Sequence, residues 1–250
     1  TLWMVVRVKE RADYQGRGSK NPLRAYGDVF RNRHARLLLI VFLAESLGVA
    51  TINALTIYVS EYVVGTPELA PLYILLYMIP SALSVPFWVW ASKKIGKKRI
   101  WILSMLVSAF GFGSMFLLGN GDSVLISVLA AILGFGGGAG AVVAPSIQAD
   151  VIDFDELQTG DRKEGTYFAA WNFVYKFGVG LTLMLTGFVL EFSGFVANQI
   201  QSESSLWALR ALYGLFPMGC YLVATLVLSR FSLDEAEHAR IRDALDRRKG

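Results

Sequence analysis

The sequence predicts an all-α membrane protein whose body is a bundle of six transmembrane helices, and three observations carry that prediction. Hydrophobic residues fill 54% of the 250 positions and charged ones only 18%, a profile far from that of a water-soluble domain. Six apolar stretches are long enough to cross a bilayer, which takes roughly 20 mostly apolar residues because lipid offers the backbone no hydrogen-bond partner. Lysine and arginine are concentrated in alternate connections, as expected where positive charge stays on the cytoplasmic side.

The spans fall near 37–60, 70–91, 100–118, 123–148, 166–190 and 206–229. Residues 1–36 precede them. Within that segment TLWMVV is an apolar run stopped by Arg7, too short to span and unlike a signal peptide, so it reads as the end of a preceding helix. The rest of 1–36 reads as a cytoplasmic central loop. Segment 7–36 holds nine Lys or Arg, 93–99 five, 162–163 two and 230–249 six, whereas 61–69, 119–122 and 191–205 hold none. Both chain ends are therefore expected in the cytoplasm. The net charge of +4 sits mostly in these loops and calls for no nucleic-acid partner. After the last span, 230–250 places Leu233, Ala236, Ile241, Ala244 and Leu245 at roughly helical spacing among many charges. It reads as a cytoplasmic amphipathic helix, on the membrane surface or capping the bundle in preference to binding a partner.

Several chemistries drop out, and the chain does not read as an enzyme. The lone Cys220 lies inside the sixth span, so neither a disulfide framework nor a metal-ligand cluster is expected, and no cofactor is implied. His34 and His238 lie in separate segments away from any obvious nucleophile. GFGGGAG at 134–140 superficially resembles a dinucleotide loop but lacks the strand before it, and in mid-membrane such small residues let helices approach closely. Pro80, Pro86, Pro145 and Pro217 fall within spans, where they interrupt the backbone ladder.

Ionisable groups inside spans are the better guide, because each costs several kcal/mol in hydrocarbon unless it meets water or a partner. Lys176 is about ten residues into the fifth span, roughly 15 Å deep at helical rise. Asn172 lies one turn earlier on the same face, and Trp171 with Tyr175 forms an adjacent aromatic edge. Aromatic faces beside hydrogen-bonding groups suit a polyhydroxylated ring, whose C–H faces stack and whose hydroxyls bond; packing between helices explains the aromatics equally well. In the first span Glu45, Asn53, Thr56 and Ser60 share an arc of under a quarter turn. A carboxylate on that stripe can pair with Lys176, take up a proton or hydrogen-bond a neighbouring helix, with interhelical pairing preferred. Arg210 is near its span's outer end and can reach the interface.

One charged stretch stands between the fourth and fifth spans. ADVIDFDELQTGDRKEG at 149–165 holds six acidic and two basic side chains, and it continues as TYFAAWNFVYKFG. With its Asp pair, its Arg-containing turn and the Lys embedded beyond it, this run resembles the junction of the tenth and eleventh helices in the glycoside–pentoside–hexuronide:cation symporters, a branch of the major facilitator superfamily. YVSEYVVG at 58–65, WASKKIGKKR at 90–99 and RNRHARLLL at 31–39 resemble that family's seventh- and eighth-helix region. The likeness covers nearly the whole chain, as the carboxyl-terminal half of a twelve-helix fold.

The resemblance implies roles. Asp150, Asp153, Glu156, Arg162 and Glu164 match a cytoplasmic gate, whose charge pairs form in one state and hydrate in the other. Lys176 matches a lysine beside the sugar and cation sites. Where the melibiose-specific member has a sugar-contacting Trp, this chain has Ala141, which speaks against melibiose itself. The implied function is cation-coupled transport of a sugar or glycoside, driven by Na+ or H+, in the bacterial cytoplasmic membrane. The partners implied are the lipid bilayer and an amino-terminal six-helix half holding the cation ligands, so no metal ligand is expected here. The alternatives are the same fold carrying a lipid-like or other organic solute, and a non-transporting membrane module.

Overall fold

In the computed structural model, which describes residues 22–249, every regular element is helical; the expected end of a preceding helix at 1–6 lies outside the described residues. The elements are α1 (Pro22–Arg31), α2 (Arg33–Tyr58), α3 (Ala70–Ile95), α4 (Lys97–Met115), α5 (Ser123–Thr159), α6 (Glu164–Phe192), α7 (Glu203–Arg210), α8 (Phe216–Ser229) and α9 (Glu235–Lys249). A π-helical stretch, Val59–Val64, extends α2, and another, Ala211–Leu215, joins α7 to α8 in one rod. Six rods thus occupy the six expected spans, in the manner of a multi-pass membrane bundle.

Five of the six rods are both long and apolar enough to cross a membrane. The exception is α4, whose 19 residues begin with Lys97, Lys98 and Arg99 and so carry a shorter apolar run. It is nonetheless central: Ile100, Trp101, Met105, Ala109 and Phe112 are all buried.

The largest departure from the expected boundaries is α5. Its apolar run ends near residue 148, but the helix continues 11 residues further to Thr159, giving 37 in all. The charged stretch is therefore mostly helix rather than loop, and only 160–163 connects it to α6. Acidic side chains are tolerated within a helix; what stops this one is Gly160, left-handed at φ 78°, whose N–H bonds the carbonyl of Glu156.

The helices form an open arc in the order α3, α5, α4, α8, α2, α6, each packed chiefly on its neighbours in that series. The two end helices keep large faces uncovered. Only 17% of the apolar window of α3 and of α6 is buried, against 44% in α2 and α5.

The interface of α3 with α5 is set by small residues. A Cβ on Gly134 would collide with the backbone carbonyl of Tyr77, and one on Gly138 with Ser84 Oγ, so GFGGGAG serves helix packing. Across the same seam Trp88 Nε1 donates to the carbonyl of Phe135 at 2.6 Å and Ser84 Oγ donates to it at 3.1 Å. Gly134→Ala is accordingly expected to destabilise the protein by about 1–3 kcal/mol, because backbone must move to admit the methyl. Gly180→Ala, where nothing lies within 4 Å, is the matched control. Thermal unfolding of the two variants checks this, and an equal Tm for both would contradict the close approach.

At one end of the bundle α1, α2 and α9 converge. Asn32 caps α2, its Oδ1 accepting from the N–H groups of His34 and Ala35, while its Nδ2 donates to the Tyr167 hydroxyl at 2.9 Å. α9 lies against the end of α5. Leu233, Ile241 and Leu245 are buried there with Phe231, whereas Ala236 is exposed. Glu235 accepts from the backbone N–H of Lys97 at 2.7 Å, and Lys98 Nζ donates to the carbonyls of Ser229 and Phe231 at 2.8 and 2.6 Å.

Candidate functional site

Two adjoining cavities of about 260 Å³ each run through the bundle and share Val49 and Tyr77 in their walls. Together they reach the size usual for a small-molecule site. The first is lined by Trp171 and Tyr175 of α6, by Phe42 and Glu45 of α2 and by Ala141 of α5. Trp171 stacks on Phe42, ring centroids 4.3 Å apart at 30°, and Tyr175 lies 6.2 Å from Phe42. These rings pack between helices and line a cavity at once, so both readings of the aromatic edge hold.

Glu45 does not meet Lys176. Its Oε1 accepts from Trp101 Nε1 of α4 at 3.1 Å, which makes it an interhelical bond to a neighbour that sequence reasoning had not singled out. Asn53 faces the second cavity instead of the first. Thr56 lines that cavity too, its Oγ1 3.2 Å from the Tyr213 hydroxyl, whereas Ser60 Oγ donates to the Thr66 carbonyl at 2.6 Å and serves a turn.

Asn172 and Lys176 line neither cavity. Asn172 is exposed and its Nδ2 donates back to the Phe168 carbonyl of its own helix at 2.9 Å. Lys176 is exposed, with no hydrogen bond or ion pair among the described residues. Both stand on the uncovered side of α6.

The acidic stretch at the end of α5 is knotted. Arg162 Nη1 reaches Asp153 at 3.0 Å and Glu156 at 2.5 Å, and its Nη2 reaches Glu164 at 2.6 Å. Burial alone would lower the Arg162 pKa, but the hydrogen bonds and charges of Glu164, Glu156 and Asp153 outweigh it and hold the guanidinium above its usual value. Asp150 pairs with Lys97 of α4 at 2.6 Å. Lys163, fully buried, ties Asp155 at 3.0 Å to Asp28 of α1 at 3.2 Å. From α9, His238 Nε2 lies 3.1 Å from Asp153 and 3.5 Å from Asp150, and Arg242 lies 3.4 Å from Asp153.

The five residues expected of a gate are thus brought together. Asp28, Lys97, Asp155, Lys163, His238 and Arg242 join them unanticipated. One signal pointed to such partners: a stretch with six acids and two bases leaves an excess of negative charge that other elements must neutralise if it is to pack. Among the described residues no group of three or more His, Cys, Asp and Glu side chains could hold a metal ion.

Residues 1–235 match the family described as MFS/sugar transport protein. The chain belongs to that family. The likeness to glycoside–pentoside–hexuronide:cation symporters expected from the charged stretch is borne out at family level. Among the relatives of this MFS/sugar transport chain are an uncharacterized symporter of Synechocystis sp., 31% identical over 228 residues, which are 88% of this chain and 42% of that protein. A glucuronide carrier protein homolog of Escherichia coli K12 is 26% identical over 88% of this chain and 48% of its own length. An isoprimeverose transporter of Lactiplantibacillus pentosus is 28% identical over 79% and 41%. The chain spans about half the length of the relatives it matches. The members of the family similar to it bear the names of transporters, carriers and symporters rather than of enzymes.

Proposed function

We propose that this chain forms one half of a secondary active transporter that carries a sugar or glycoside together with Na+ or H+ by alternating access. The observation that carries this reading is the first cavity, whose lining brings the aromatic edge of Phe42, Trp171 and Tyr175 together with Glu45. A pyranose can use both kinds of group, rings for its C–H face and a carboxyl for its hydroxyls. The uncovered sides of α3 and α6 suit a second six-helix half, which would supply the coupling-cation ligands and close the cavity. The alternation of Lys and Arg along the connections supports placing both ends in the cytoplasm of a bacterium, with the ionic knot as a gate on that side. The relatives named as carriers of glucuronide and isoprimeverose support a saccharide over other solutes.

Calorimetric titration of the purified full-length protein with mono- and disaccharides and with a lysolipid tests the proposal. A saccharide is expected to bind; a lysolipid binding where no saccharide does would overturn it. Trp171→Ala removes a stacking surface that contributes about 0.5–1.5 kcal/mol beyond simple burial, so it should weaken saccharide binding roughly two- to tenfold. An unchanged affinity would return Trp171 to a packing role alone.

A further inference from the structure

A third concavity opens elsewhere on the bundle. α3, α4 and α5 surround an apolar groove of about 500 Å³, lined by Pro80 and Trp88, by Leu103 and Val107, and by Ile132 and Phe135. It shares only Gly136 with the first cavity and nothing with the second. Its one indole N–H, on Trp88, is already donated to the Phe135 carbonyl, so the groove offers a solute nothing polar. Leu103, Ile132 and Phe135 are exposed within it.

An aromatic track leads from this groove to a cation. Phe135 lies 5.4 Å from Phe87, Phe87 lies 5.9 Å from Trp90, and Lys94 Nζ sits 4.3 Å from the Trp90 ring centroid. Pro80 and Lys94 are separated by roughly 21 Å at helical rise, comparable to one leaflet of hydrocarbon plus its interface. Indoles and snorkelling lysines are the groups that settle at that interface.

Among the described residues no carboxylate neutralises the charge at the track's end, which meets only the Trp90 ring. Of the five basic residues in 93–99, Lys97 pairs with Asp150 and Lys98 caps the end of α8. Lys93, Lys94 and Arg99 stand exposed, without an ion pair among the described residues. An apolar groove, an aromatic belt and three unneutralised cations in sequence match the parts of one molecule: acyl chain, glycerol region and anionic headgroup. We infer that this strip binds one anionic phospholipid, its chain between Leu103, Ile132 and Phe135 and its phosphate on Lys94, with Lys93 and Arg99 beside it. The site is independent of what the central cavity carries.

Native mass spectrometry of the full-length protein from mixed phosphatidylglycerol and phosphatidylcholine nanodiscs reads the site directly. One phosphatidylglycerol should be retained preferentially. The double variant Lys93→Gln, Lys94→Gln should lower that preference at least fivefold, while Arg230→Gln, which removes an exposed cation outside the track, should leave it unchanged. Ala131→Phe fills the groove and should lower retention of both lipids. Equal losses for the double variant and Arg230→Gln would reduce the effect to bulk charge and overturn the site. So would a photoreactive residue at position 132 that crosslinks to polypeptide instead of lipid, since the groove would then be a protein interface.

Discussion

Lys176→Ala in the full-length protein is expected to abolish solute accumulation driven by a Na+ or H+ gradient while leaving the amount of folded protein unchanged. The second half of that statement follows from packing. Lys176 is exposed and has no hydrogen bond or ion pair among the described residues, so its removal takes no such bond from the neighbouring helices. The first half follows from electrostatics. An ammonium near the middle of the 29-residue α6 costs several kcal/mol in hydrocarbon, and such a group persists where water or a counter-charge meets it. Its side of α6 is uncovered, and Tyr175 next to it lines the first cavity. On the proposed reading, a second half would cover this side of α6 and bring the lysine to the completed site. Uptake into vesicles with an imposed gradient measures the effect. Near-normal accumulation by Lys176→Ala would remove Lys176 from the coupling mechanism, whereas partial recovery in Lys176→Arg would identify charge as the property that matters.

The spans were legible because a bilayer forces an apolar run of fixed length, and α2, α3, α6 and the α7–α8 rod follow those runs within several residues. What escaped has physical reasons. The end of α5 was set by the left-handed Gly160 rather than by polarity, and hydropathy registers only the latter. The π-helical stretches at Val59–Val64 and Ala211–Leu215 have no compositional mark, since the phase shift that one extra residue makes does not show in a run that is apolar on nearly every face. Within the candidate site, α6 groups its residues as its spacing implies, Trp171 with Tyr175 and Asn172 with Lys176, but the spacing does not say which pair meets the cavity. Trp171 and Tyr175 face the cavity while Asn172 turns away, because a rotation of one residue is about 100° and the neighbours that decide it come from α2. Partners distant in sequence, such as Trp101 for Glu45 and His238 for Asp153, are products of the fold. Only the surplus of acids over bases in 149–165 announced that cations would be brought to it.

That surplus makes Arg162 the residue whose loss should move the protein furthest between conformations. Arg162 holds Asp153, Glu156 and Glu164 simultaneously. The first two carboxylates are only 7% and 8% exposed, the third 53%. In Arg162→Ala, Asp153 keeps His238 and Arg242, but Glu156 loses the one cation it is paired with among the described residues. Leaving a buried charge unpaired costs about 3–5 kcal/mol. The partial exposure of Arg162 places the expected loss at the lower end of that range. If the knot exists in one transport state and hydrates in the other, the whole cost falls on the knotted state, and every 1.4 kcal/mol or so shifts the ratio of states tenfold. Arg162→Ala should therefore raise the labelling rate of a cysteine placed at Ala141 in the cavity lining, from the knot's side of the membrane, in a background with Cys220→Ser. Glu164→Gln should change that rate little, because an exposed pair contributes at most about 1 kcal/mol. The saccharide preference should be the same in both variants. An unchanged labelling rate accompanied by an altered preference would assign Arg162 to substrate recognition instead of gating.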